Sequence, residues 1–234
     1  MSQRNEQVAE KIRTSKKRYY IVAPPGSGKS TAIGAYPELM ADVDCFIMRR
    51  LPESPLPPEP WLRDPTFPVN FVRALIDTFK THPVILVPMQ ADRDNTINLI
   101  MAMHSKNPDL ARQYVYNATL YPTPATSEEV DKLTAELLPL LDELRGIDFE
   151  PVIVIPDKDY FDFMIATIKE RDKQFREQGK LLGREFRGME RETEGFNKDL
   201  ELYNRAYQTG LFSKIPIRKG QYLLEALNKF WCIE

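Results

Sequence analysis

The chain is poor in the residues that build disulfide frameworks and structural zinc sites. Its 234 residues include two cysteines, Cys45 and Cys232, and two histidines. A small secreted domain needs several cysteine pairs, and a structural zinc site needs clustered cysteine and histidine ligands. The composition therefore indicates a reducing, intracellular setting and no structural metal.

Long hydrophobic runs and an excess of one charge are also absent. No apolar run approaches the ~18 residues of a membrane-spanning helix, and the first twenty residues are polar with mixed charge. The formal net charge of −2 creates no overall positive field that would attract nucleic acid or an anionic membrane. We therefore expect a soluble cytoplasmic protein (in the host cytoplasm if it is viral) with no membrane partner. Its oligomeric state stays open.

Short apolar runs alternate with helical stretches along a chain of ordinary globular composition, 42% hydrophobic and 28% charged. This alternation is typical of a parallel sheet covered by crossover helices. The predicted strands are 19–23, 45–48, 84–88, 114–121 and 152–155. The predicted helices are 29–40, 70–80, 95–104, 127–144 and much of 161–207. The sequence thus predicts a doubly wound α/β core over 1–157, followed by an α-helical extension over 158–234 that serves as a lid or binds substrate.

A glycine-rich turn separates the first predicted strand from the first predicted helix. Gly26 and Gly28 permit a tight backbone whose N–H groups form an anion nest, and the following helix points its positive end at the same place. Lys29 would reach the β- and γ-phosphates of ATP, and the Ser30 hydroxyl would bind Mg²⁺. This is a Walker A pattern with Ala23 in place of its first glycine. The residues assigned to ATP binding are Pro25, Gly26, Ser27, Gly28, Lys29, Ser30 and Thr31. The alternative is a glycine turn that precedes a helix by chance.

Two acids follow the predicted P-loop helix. Asp42 and Asp44 alternate along the chain, so an extended backbone would place both carboxylates on one side. Phosphoryl transfer uses a carboxylate to orient the attacking hydroxyl and another to hold the metal. In the plainer alternative, both acids only solvate a loop.

The residues that follow the third and fifth predicted strands bear on whether the protein is a kinase or an ATPase. The third predicted strand ends in Pro88-Met89-Gln90, without the Asp-Glu pair that motor ATPases use to hold Mg²⁺ and polarise water, which favours a kinase. Asp157, after the fifth predicted strand, would be the metal acid of an ATPase or nucleotide-dependent switch whose helical extension binds a partner. A degenerate P-loop that serves only as a binding or structural module is a third interpretation.

The P-loop together with Asp42 and Asp44 resembles the small-molecule and polynucleotide P-loop kinases. Segment 64–71, which leads into a helix, is similar to phage and viral members, including kinases that phosphorylate hydroxymethylated pyrimidines in DNA. The resemblance spans residues 1–125. It implies an enzyme that moves the γ-phosphate of ATP·Mg²⁺ to a hydroxyl of a nucleotide or nucleic-acid component. It also implies Asp44 as the base and Asp42 as the metal-side acid with Ser30. The assignment of the two acids could be reversed.

Two further residues are candidates for contacts outside the loop. Kinase lids supply arginines that neutralise charge on the transferred phosphoryl group. Arg171 is the candidate for this role, and it lies in a basic stretch that also contains Arg184 and Arg187. Trp61, in a proline-rich segment, is a candidate for stacking on a nucleobase. A helix-surface arginine and a loop-packing tryptophan are the plainer alternatives.

Overall fold

The computed structural model describes most of the chain. The described residues are 3–24, 27–42, 66–88, 95–119, 124–157, 159–160, 162–163, 166, 170, 173 and 204–232. The predicted strand at 45–48 and nearly all of the predicted helix at 161–207 lie outside them.

In this part of the chain, five parallel strands form one sheet. They are β1 (Arg18–Ala23), β2 (Met40–Asp42), β3 (Val84–Pro88), β4 (Phe149–Pro156) and β5 (Ser213–Ile217). Their spatial order is β2-β3-β1-β4-β5, so β1 lies at the centre, with Ile21 paired to Leu86 on one side and to Val152 on the other. The inner strands are nearly continuous apolar runs because helices cover both of their faces.

The helices lie in two layers. They are α1 (Gln3–Thr14), α2 (Lys29–Ala35), α3 (Phe67–Thr81), α4 (Asn95–Ser105), α5 (Pro108–Ala118), α6 (Ser127–Arg145) and α7 (Leu223–Cys232). Helices α3 to α6 pack on the face that bears Tyr20 and Val22, whereas α1, α2 and α7 pack on the face that bears Tyr19 and Ile21. Because side chains point alternately to the two faces of β1, successive residues of this strand belong to two different cores. The expected α/β fold with a parallel sheet is confirmed, and its two helical layers are compatible with a doubly wound arrangement.

The predicted strand at 114–121 is wrong, because Tyr114 to Ala118 belong to α5. Asn107 caps this helix by accepting a hydrogen bond from the Asp109 N–H, and Pro108 occupies the first turn. Ala111, Tyr114, Val115 and Ala118 are its buried residues. Their spacing of three and four is helical, but tyrosine and valine are also common in strands, which misled the prediction.

The region after residue 157 is not purely helical. Residues 213–217 form β5, which pairs with β4, and α7 packs on the same core as α1 and α2. Part of the expected extension therefore completes the sheet. The strand was missed because Lys214 and Pro216 interrupt its apolar pattern and because a proline at this place is tolerated only at an edge.

A buried hydrogen-bond network joins the three helices of one layer. The Tyr36 hydroxyl, just after α2, donates to Asn228 Oδ1 of α7 at 2.6 Å. Asn228 Nδ2 in turn donates to Asn5 Oδ1 of α1 at 3.2 Å. Buried polar groups need such partners, so this network fixes how α7 lies against α2.

Breaking this network should destabilise the protein cooperatively. We expect Asn228→Ala and Tyr36→Phe each to lower the free energy of unfolding by about 1–3 kcal/mol, because each leaves a buried polar group short of a partner. The double variant should lose less than the sum of the two, as measured by urea unfolding followed by circular dichroism. Tyr207→Phe, at an exposed site, is the control and should change stability by less than about 0.5 kcal/mol. Strict additivity would contradict the network.

Candidate functional site

The strand order creates a natural binding place at the carboxyl ends of β1 and β4. These strands are hydrogen-bonded neighbours, with Val22 paired to Ile153. The chain leaves β1 toward β2 on one side of the sheet and leaves β4 toward β5 on the other. In open parallel sheets, ligands bind where neighbouring strands send their connections in opposite directions. The glycine-rich turn begins directly after β1, at this point.

The backbone of this turn adopts a conformation that suits glycine. Gly28 has φ 99° and ψ 30°, in the left-handed region, and forms the N-cap of α2. The Ser27 N–H donates to the Pro24 carbonyl at 3.3 Å, so the chain folds back on itself. Pro25 and Gly26 lie outside the described residues. The predicted order of strand, glycine turn and helix is therefore present, with the turn at the central strand.

Lys29 and Ser27 flank Gly28 where the turn meets α2. The half-buried Lys29 places Nζ 3.1 Å from the Pro24 carbonyl oxygen, to which it donates. Ser27 is buried, and within the described part of the chain its Oγ has no hydrogen-bond partner. Ser30 and Thr31, the first residues along the helix after Lys29, are exposed. The loop thus brings an ammonium group and a buried hydroxyl together near accessible hydroxyls.

The start of α7 forms one wall beside the loop. The Leu223 N–H donates to the Ser27 carbonyl at 3.0 Å. A Cβ atom built on Gly28 would lie 3.9 Å from Tyr222 Cδ1. Sequence reasoning missed Tyr222, and the turn residues Lys219 and Gly220 before it were the only nearby signal of a strand end.

Asp42 lies on β2, level with Ile21 of β1, which precedes the end of β1 at Ala23. It is the half-buried last residue of β2, in register with Leu86 of β3. Since β3 separates β2 from β1, Asp42 is about 10 Å from β1 across the sheet. Asp44 lies outside the described residues. Elsewhere in the chain as described, no group of three or more His, Cys, Asp or Glu residues is placed to hold a metal ion.

Asp157 lies closer to the loop across the sheet than Asp42 does. It directly follows β4, the neighbour of β1, and its side chain is exposed. One carboxylate oxygen accepts a hydrogen bond from the Tyr160 N–H at 2.8 Å. Its own N–H donates to the Ile217 carbonyl, which ties the ends of β4 and β5 together.

The comparisons with known proteins add no relative. No protein-family model matches the chain, and no curated protein or solved structure is significantly similar to it. Arg171, Arg184, Arg187 and Trp61 lie outside the described residues. Among the helices that are described, none is long and apolar enough to cross a membrane. The assignment of the site therefore rests on the loop and its surroundings.

Two glycine substitutions in adjoining elements test the geometry of the loop. We expect Gly28→Ala to lower the free energy of unfolding by about 1–2 kcal/mol, because a side chain is strained in the left-handed region. Gly34→Ala is the matched control: Gly34 is exposed within α2, and a Cβ added there meets nothing within 4 Å. It should raise stability by about 0.5–1 kcal/mol. Thermal or urea unfolding measures both, and equal effects would contradict the loop conformation.

Proposed function

We propose that the protein is a P-loop phosphotransferase whose loop, from Ala23 to Thr31, holds the phosphates of ATP·Mg²⁺. The observation that carries this proposal is the left-handed Gly28 followed by Lys29, whose Nζ is turned back onto the loop at Pro24. The position of the loop at the carboxyl end of the central strand supports it further, since this is where nucleotides bind in sheets of this kind.

Each residue of the loop has a chemical reason for its role. The Lys29 ammonium, which donates to the neutral Pro24 carbonyl, would instead contact phosphate oxygens, so that both partners of the hydrogen bond carry charge. Ser27 Oγ, buried and lacking a partner among the described residues, gains an acceptor or donor there. Ser30 supplies an exposed hydroxyl to Mg²⁺, which neutralises charge on the β- and γ-phosphates when bound.

The acceptor in this proposal is a hydroxyl of a nucleotide or nucleic-acid component, including hydroxymethylated pyrimidines in DNA. A carboxylate, for which we propose Asp44, takes the hydroxyl proton as the oxygen bonds to the γ-phosphorus and the bond to ADP breaks. Asp42 is proposed on the metal side and Arg171 as the arginine that neutralises developing charge. The support for these roles is the resemblance of the Asp42 and Asp44 pair to the acids of P-loop kinases. Such an enzyme would act in the cytoplasm, where ATP is supplied.

ATP hydrolysis, or a nucleotide-dependent switch, is the second candidate function. One specific observation favours it: Asp157 follows the strand next to β1, whereas Asp42 is two strands away from β1. In that case water replaces the acceptor, and Asp157 holds the metal or orients the water.

Removing the lysine should weaken nucleotide binding. We expect Lys29→Ala to lower the affinity for ATP·Mg²⁺ by about 10–100-fold, because hydrogen bonds to charged groups are worth about 1.5–3 kcal/mol. Isothermal titration calorimetry measures this directly. Lys132→Ala, exposed on α6, is the control and should bind like the unaltered protein. Equal affinities of the Lys29 and Lys132 variants would contradict phosphate binding at the loop.

The dependence of ATP loss on an acceptor separates the two candidate functions. We expect labelled phosphate to appear on a nucleoside or oligonucleotide, detected by mass spectrometry, and ATP to be stable without it. Asp44→Asn should slow transfer by at least ~100-fold and leave ATP affinity within about twofold, because it removes only the base. ATP turnover without any acceptor, lost in Asp157→Ala, would instead establish hydrolysis.

A further inference from the structure

The turn between β5 and α7 is a closed structure held against the sheet. The Gln221 N–H donates to the Arg218 carbonyl at 2.9 Å, and the Gln221 side chain accepts from the Arg218 N–H at 3.2 Å. Gly220 adopts φ 76°, which such a tight turn requires. The backbone that carries Tyr222 is therefore fixed at the carboxyl edge of the sheet.

Tyr222 lies where the ends of β1 and β4 meet. Its Cδ1 atom is 3.9 Å from a Cβ built on Gly28, and the next residue, Leu223, is hydrogen-bonded to Ser27. On the β4 side, Tyr160 is near enough to interact with it. Burial of Tyr160, with the Tyr222 phenol nearby, raises the pKa of Tyr160 above its ordinary value. The Tyr222 ring thus lies beside the Gly28 turn, and its phenol lies near Tyr160.

Despite these neighbours, Tyr222 is 54% exposed, more than Tyr116 at 45% and Tyr207 at 44%. Neither of those tyrosines belongs to the loop or to the turn beside it, and Lys214 Nζ lies 5.3 Å from the centre of the Tyr207 ring. A tyrosine side chain that is this exposed is available for contact with a ligand. Arg218 and Lys219, exposed in the same turn, add positive charge to this side of the site.

We propose that Tyr222 is the platform on which the base of the bound nucleotide stacks, so that the site recognises a nucleoside triphosphate and not a polyphosphate alone. This inference rests on the proposed phosphate binding by the loop. Stacking on an aromatic ring tolerates different bases, because every base has a π-face. Stacking on Tyr222 therefore strengthens the binding of a nucleotide but discriminates little among different bases.

Calorimetry with two ligands tests this proposal: ATP·Mg²⁺ and inorganic tripolyphosphate·Mg²⁺, which has no base. The unaltered protein should bind ATP at least ~5-fold more tightly than tripolyphosphate. Tyr222→Ala and Tyr222→Leu should weaken ATP binding by about 5–100-fold and leave tripolyphosphate binding unchanged. Tyr222→Phe, which keeps the ring, should bind ATP within about twofold of the unaltered protein. Tyr116→Ala, remote from the loop in sequence, is the control.

The outcomes separate this inference from the proposed function. If Tyr222→Ala and Tyr222→Leu lower the affinity for both ligands equally, stacking is overturned, since Tyr222 would then only shape the loop. Equal affinity of the unaltered protein for ATP and tripolyphosphate also overturns it but leaves phosphate binding intact. Binding of neither ligand to the unaltered protein refutes the phosphate site itself. Selective loss of ATP affinity, with rescue by phenylalanine, supports the stacking role.

Discussion

Parallel pairing of β1 with both β3 and β4 is the constraint on which the rest of the structure depends. It buries Ile21 and Val22 between neighbours on both sides and brings the end of β1 to the middle of the carboxyl edge. The turn that follows β1 therefore begins between the ends of β3 and β4. The helical layers follow from the same pairing, because a strand buried on both faces must be covered on both.

The site is assembled from segments that are far apart in the chain. Gly28 and Lys29 come from the first turn after the central strand, Asp157 comes from the end of β4, and Tyr222 comes from the turn after β5. The Ser27 carbonyl, which accepts from Leu223, links the first of these segments to the last. The Tyr36 and Asn228 contact also holds α2, which begins directly after Gly28, against α7.

Local sequence patterns made the fold class and the loop predictable. Features that depend on pairing between distant segments were not predictable in this way. The turn at Gly28 was predicted because its glycine, lysine and hydroxyl residues follow the spacing of a Walker A pattern, and the structure has a left-handed glycine there before a helix. The start of α6 at Ser127 was predicted as well, and Thr126 and Glu129 form a capping box there. In contrast, β5 was missed because its pattern is interrupted and only its pairing with β4 defines it. Tyr222 was missed for the same reason: nothing near it in sequence connects it to Gly28.

The hydrogen bond from Leu223 to Ser27 also has a consequence for biosynthesis. During translation the strand, turn and helix from Arg18 to Ala35 emerge early, but β4, β5 and α7 follow much later. Pairings between such distant segments form slowly, because closure of a long loop precedes any gain from the contact. The contact between α7 and the turn therefore forms after the turn itself, and a nascent chain without α7 has the Gly28 turn without this neighbour. If the loop binds a nucleotide as proposed, full affinity would require that α7 had already packed beside it.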